Sequence, residues 1–258
     1  MMLDEFIKND YQELEQMLLS LDVDTQRCGN LTTCNKVFAL YSFFEEKSLE
    51  KAKQHFYNCA LLDSFRIKTY NDRMFDYDLH SIGYAMLSDN IDFIKTDFAK
   101  LTYQSTYLED VTEKVFPITM EENVLAGEGA IFTHTVQQFL LGNNSLIERN
   151  LEIMEKVWFN KPNENSTLQY DVNFLKNLYL KDFSKCEVIL KEMLSPKIHK
   201  KRNDDALLNK YISMPALGYV KLAWILGYEL EIKNKLIPKD LLPVQPLEKY
   251  EIPYDFLK

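Results

Sequence analysis

This sequence predicts an all-α fold of antiparallel helical hairpins, and three observations support it. Glycine and proline are scarce, 7 and 8 in 258 residues, whereas a β-sandwich or barrel needs a turn every few residues. Apolar side chains recur at helical spacing along most of the chain. Four short polar breaks, centred near residues 46, 89, 143 and 182, each divide two apolar periods, as antiparallel helices joined by tight turns do. Their spacing is loose. It resembles a degenerate tetratricopeptide-like helical repeat without the strict consensus of true arrays. A hydrophobic content of 46% with 13% aromatics is ample for a packed core.

The elements follow in order. Residues 3 to 21 place Leu3, Phe6, Ile7, Leu14, Met17, Leu18 and Leu21 on one side of a helix, with Asp4, Glu5, Asp10, Glu13 and Glu15 on the outer face. Gly29 and Asn30 read as a turn before a second helix, about 33 to 46. Ser48 is a good N-cap for a third, ending near Lys68. Three further hairpins break at Ser88-Asp89-Asn90, Gly142-Asn143-Asn144 and Lys181-Asp182-Phe183, and Tyr41 to Glu50 is a weaker copy.

The stretch Tyr211 to Ile232 reads as the central helix, with Ser213 as N-cap, Pro215 in the first turn and Gly227 just past the end. It is apolar nearly all round, which implies burial on most sides. Between Ser213 and Gly227, Lys221 is the only charge, and its stem is expected to carry the ammonium out to water. Pro243, Pro246 and Pro253 make the remaining tail extended, pinned across the helices by Leu247, Tyr250, Ile252, Tyr254 and Phe256. The expected organisation is one domain over 1–258: N-terminal helices to 70, hairpins over 71–195, then the central helix and packed tail from 196.

Two segments interrupt the helical pattern. From Gln104 to Gly129 the chain carries Glu109, Asp110, Glu113, Glu121, Glu122 and Glu128 against Lys114 alone, with Pro117 and Gly127-Glu-Gly129 implying a loop. A long loop between helix pairs is a usual place for a partner surface, so these six acids are the candidate partner-binding residues. For any single one of them, a solvated connection is the alternative. The second, Asn160 to Thr167, reads as a plain surface turn leading into a helix; all of it but Thr167 lies outside the residues described below. Apart from these, residues 196 to 205 hold a basic cluster that reads as a solvated helix end or turn.

The net charge of −9 and sequence pI near 5.1 count against nucleic acid as a ligand. They suit a basic partner, or solubility alone. No run approaches the roughly 20 apolar residues of a membrane span, and the N-terminus lacks the basic-then-apolar order of a secretory signal. A cytoplasmic protein is expected, with Cys28, Cys34, Cys59 and Cys186 as free core thiols. His55, His80, His134 and His199 are scattered, and no nucleophile stands beside a base. Asp76 and His80, at i and i+4, would share a helical face, but two ligands are too few for a metal. The expectation is neither an enzyme nor a cofactor or metal protein.

The block Met214 to Ile232, followed by Leu236-Ile-Pro-Lys-Asp-Leu-Leu242, resembles the end of the immunity protein 49 family of bacterial polymorphic toxin systems. Pro215, Leu217, Lys221-Leu-Ala223, Gly227, the Glu-hydrophobe-Glu step and the Pro238 to Leu242 turn carry the resemblance, which covers roughly the last 50 residues. It implies an all-α protein that binds a cognate toxin domain and protects the producing cell. Many toxins that attack nucleic acids are basic, and an acidic inhibitor would associate with one quickly. A helical scaffold or peptide-binding regulator of an endogenous partner is the competing expectation.

Overall fold

A computed structural model describes residues 3, 5–109, 114–159, 167–203, 205 and 207–258. These residues form thirteen α-helices and one small sheet: α1 (Glu5–Leu19), α2 (Thr25–Phe44), α3 (Leu49–Tyr70), α4 (His80–Leu87), α5 (Ile91–Thr96), β1 (Gln104–Glu109), β2 (Lys114–Thr119), α6 (Met120–Ala126), α7 (Ala130–Leu141), α8 (Asn144–Trp158), α9 (Gln169–Tyr179), α10 (Phe183–Met193), α11 (Pro196–Arg202), α12 (Leu208–Tyr211) and α13 (Met214–Ile225). The fold is all-α, as expected. No helix among the described residues is long and apolar enough to cross a membrane.

The four polar breaks share one backbone device. Lys47, Asp89, Gly142 and Lys181 all take positive φ, and each is followed at once by the N-cap of the next helix: Ser48, Asn90, Asn143 or Asp182. A left-handed residue reverses the chain, and the side chains of Ser48, Asn90 and Asp182 then accept a first-turn N–H of the new helix. The second helix starts earlier than the sequence suggests. Asp24 caps it at Arg27 N, and Gly29 and Asn30 lie inside it, because a cap and flanking apolar residues outweigh the weak helix propensity of those two.

Helix α13 is the buried centre, with Met214 through Ala223 all inside. It crosses α4 where Gly218 meets Gly83: a Cβ on Gly218 would lie 3.1 Å from the Gly83 Cα. Two missing side chains let the backbones approach. Tyr219 stacks on Phe174 with ring centroids 4.7 Å apart and donates to Asp171 at 2.8 Å, whose carboxylate also holds Arg202 in a buried bidentate pair. Gly227 closes α13 in the left-handed region, with Gly227 N on Trp224 O and Tyr228 N on Ala223 O. Ser213 is not a side-chain cap: its hydroxyl makes no cap bond, and its N–H donates to Leu236 O at 3.0 Å.

Lys221 departs from expectation most. Its ammonium does not reach water but ends on Asp89 at 2.6 Å, and it also donates to the carbonyls of Leu242 and Pro243. Lys53 meets the same carboxylate at 2.9 Å and donates to Gln245 O. The stem points into the protein, so snorkelling is impossible and a buried anion takes the place of water. This cluster ties α3, the α4–α5 turn and α13 to the C-terminal tail. Further along, Gln54 exchanges two hydrogen bonds with the backbone of Glu251, Tyr250 donates to Ser88 O, and Tyr254 donates to Glu15. The tail is therefore packed across the helices. All four cysteines are buried free thiols.

Candidate partner interface

The acidic segment is not the loop that Pro117 and the glycines suggest. Residues 104–109 and 114–119 pair as an antiparallel hairpin, Gln104 opposite Thr119 and Glu109 opposite Lys114. The reason is local: Thr106, Tyr107, Val115, Phe116 and Ile118 are β-branched or aromatic. Met120 N donates to Tyr103 O at 3.1 Å, so hydrogen-bonded and non-bonded pairs alternate from there. Thr106 and Pro117 fall in a non-bonded pair, where a missing N–H costs the ladder nothing. Helix α6 follows directly on a capping box. The Thr119 hydroxyl accepts Glu122 N at 3.2 Å, and the Glu122 carboxylate accepts Thr119 N at 2.7 Å.

The six predicted acids fall into distinct settings. Glu109 ends β1, opposite Lys114, whereas Asp110 and Glu113 lie outside the described residues. Glu122 is held in the capping box, which keeps its carboxyl below the usual range through the Thr119 backbone and hydroxyl bonds. Glu121, about half exposed, grips Arg149 of α8 through both oxygens, at 2.5 and 3.3 Å. Glu128 is exposed just past α6, on the rim of a cleft of about 640 Å³ that His80, Trp158, Leu168, Arg202 and Pro215 also line. Three of the six therefore lie on or beside α6, and two of those are committed to intramolecular bonds.

Behind Glu121 runs a polar chain that sequence reasoning missed. His134 sits 3.8 Å from the Glu121 carboxylate and 2.8 Å from Asn150 Nδ2. Arg149 and Thr135 complete the contacts of Asn150. Both ring nitrogens of His134 face side-chain amides, Nδ1 that of Asn150 at 2.8 Å and Nε2 that of Gln138 at 3.0 Å. Burial holds the His134 pKa down, against the pull of Glu121. The arrangement orients the Glu121 carboxylate at the surface. Beside it the hairpin and α6 expose apolar side chains: Val115, Phe116 and Leu125.

Asp76 and His80 do not share a helical face. Asp76 ends a 3-10 turn, Met74–Asp76, and His80 opens α4. Arg73, Tyr103 and Asn123 donate to Asp76, while His80 lies 3.5 Å from Asp78. Among the described residues no group of three His, Cys, Asp or Glu is placed to hold a metal.

The sequence model of the family described as Immunity protein 49 matches residues 129–241. The match opens at Gly129, immediately after the hairpin and α6, and takes in α7 through α13. It reaches well upstream of the C-terminal block on which the resemblance rests. Helices α1 to α6, the hairpin and the tail beyond Leu241 lie outside it. No curated protein and no solved structure matches the chain.

Proposed function

We propose that this chain is an immunity protein that binds a cognate bacterial toxin domain in the cytoplasm and neutralises it, protecting the producing cell. The match of residues 129–241 to an immunity protein family carries this reading. Charge distribution supports a basic toxin and favours one side of the chain. Residues 1–128 hold 23 acidic and 12 basic side chains, net −11, whereas residues 129–258 hold 16 and 18, net +2. The acidity lies in the half outside the family match, which includes the hairpin. In this reading the family-matched helices form the rigid body, and the acidic segment, with Glu109, Asp110, Glu113, Glu121, Glu122 and Glu128, meets the toxin.

The test is co-expression with the C-terminal domain encoded by the neighbouring upstream gene, scored for toxicity, rescue of growth and co-purification. Restored growth together with a co-purifying complex is expected. A toxic domain that this chain neither rescues nor binds would overturn the pairing.

A further inference from the structure

The hairpin has two edges, and the chain treats them differently. Because 103/120, 105/118, 107/116 and 109/114 are the hydrogen-bonded pairs, the N–H and C=O groups of the remaining residues point outwards. On the β2 side those residues are Val115, Pro117 and Thr119. Pro117 has no N–H to offer, and the Thr119 N–H is taken by Glu122. An incoming strand would find that edge blocked at two of three positions. On the β1 side the outward residues are Gln104, Thr106 and Leu108. Asn71 takes the Gln104 N–H at 3.3 Å, which leaves the outward groups of Thr106 and Leu108 facing away from β2. Among the described residues the sheet has these two strands, and none of those residues pairs with β1 on its other side.

Proteins usually protect such an edge with proline, charge or a covering element. Here the proline protects the wrong side for that purpose. A lone two-stranded hairpin is marginal in water and gains from a third strand. Thr106, Val115 and Pro117 are exposed, so one face is also open to whatever the third strand brings.

We propose that the outer edge of β1 receives an extended, basic strand of the toxin domain, which adds to the sheet through the main-chain groups of Thr106 and Leu108. The proposal rests on the immunity reading and supplies its docking mode. The charge of the surroundings selects the occupant. The stretch from Gln104 to Gly129 has six acids to one lysine, so a second copy of this chain would bring acid against acid, and a basic strand would not. Main-chain bonds would supply affinity, and the acidic flank would supply the choice of partner.

Thr106→Pro tests the edge. Like Pro117 opposite, it removes only an outward N–H and leaves the hairpin ladder intact, whereas Thr106→Val keeps the N–H and changes only the side chain. The probe is the purified, catalytically inactivated toxin domain encoded by the adjoining gene. Wild-type binding is expected, with the Thr106 and Leu108 amides protected from hydrogen exchange in the complex. T106P should weaken Kd by about tenfold, as the main-chain hydrogen bond of the Thr106 N–H is lost, while T106V stays near wild type and both variants keep the wild-type melting temperature. A wild-type complex that T106P leaves unchanged, or in which those amides stay unprotected, overturns edge pairing but keeps the immunity reading. Equal losses in T106P and T106V overturn it in favour of a side-chain contact. A wild-type dimer abolished by T106P would assign the edge to a second copy. If the wild type does not bind the domain, both readings fall.

Discussion

Asp89 occupies a position that few side chains would tolerate twice over: left-handed backbone at φ 56 and complete burial between two lysines. Asparagine also tolerates that backbone, so Asp89→Asn isolates the charge. It would leave two buried ammonium groups without their anion, and a loss of about 3–5 kcal/mol is expected in urea denaturation. Lys221→Met should cost less, because Asp89 keeps Lys53 and the thioether fills the channel. Burial lowers the Lys221 ammonium from its ordinary 10.5 to about 8. Between those values the unfolded chain holds a proton that the folded chain has lost, so this group adds stability as pH rises from 8 towards 10.5. Denaturation at pH 7.5 and 9.5 should show wild type gaining on K221M; a constant difference would mean that the ammonium stays charged. Asp63 behaves in the opposite sense. Burial raises its carboxyl from 3.8 to about 7 while Ser81 and Thr32 donate to it. The folded chain then holds a proton that the unfolded chain has lost, and stability from this group falls as pH rises through that window. Asp63→Asn should therefore gain on wild type from pH 4 to 7 and stay level above it, as read by chemical denaturation at each pH.

At the level of elements, the shared turn geometry separates backbone cost from packing. Lys181 is exposed and left-handed at the end of α9, where Gly142 stands at the end of α7. A Cβ on Gly142 would meet nothing within 4 Å, so Gly142→Ala should cost about 1–2 kcal/mol from backbone strain alone. Lys181→Gly should move the other way by a few tenths to about 1 kcal/mol, since relief of strain exceeds the added chain entropy. Thermal melts of the two variants check both signs. The same turns explain what was legible. A polar break followed by a capping residue is a local pattern, and Ser48, Asn90 and Asp182 cap where their sequence places them. The apolar run of α13 also announces its burial. The fate of Lys221 did not show, because its partner Asp89 lies 132 positions away and looks like an ordinary turn acid. The hairpin was hidden differently. Pro117 and the acids suggested a loop, although the β-branched run and the Thr119-x-x-Glu122 box were both present to be read. The polar chain through His134 and Asn150 needs three helices to be placed before any of its contacts exist.

Across the whole molecule, charge and family likeness part company. The acidity that makes a basic partner attractive sits in residues 1–128, while the family-matched helices are close to neutral. Two acidic faces could steer such a partner: the outer side of α1, where Glu5, Asp10 and Glu13 are exposed, and the surroundings of the hairpin, where Glu128 is. Charge reversal can tell them apart only where the acid has no structural task. Glu122→Lys would break the capping box, and Glu121→Lys would leave Arg149 without its anion. Glu128→Lys avoids both. If the toxin domain docks at the hairpin, this substitution should slow association several-fold at low salt and leave dissociation nearly unchanged, because a rim charge acts on encounter rather than on the formed contact. The effect should fade at about 0.5 M salt, where screening acts over only a few ångströms. The triple reversal of Glu5, Asp10 and Glu13 should then change association less than Glu128→Lys alone, despite its larger charge change. Stopped-flow association rates for the two variants decide the matter: a larger effect from α1 would move the docking face to the first helix.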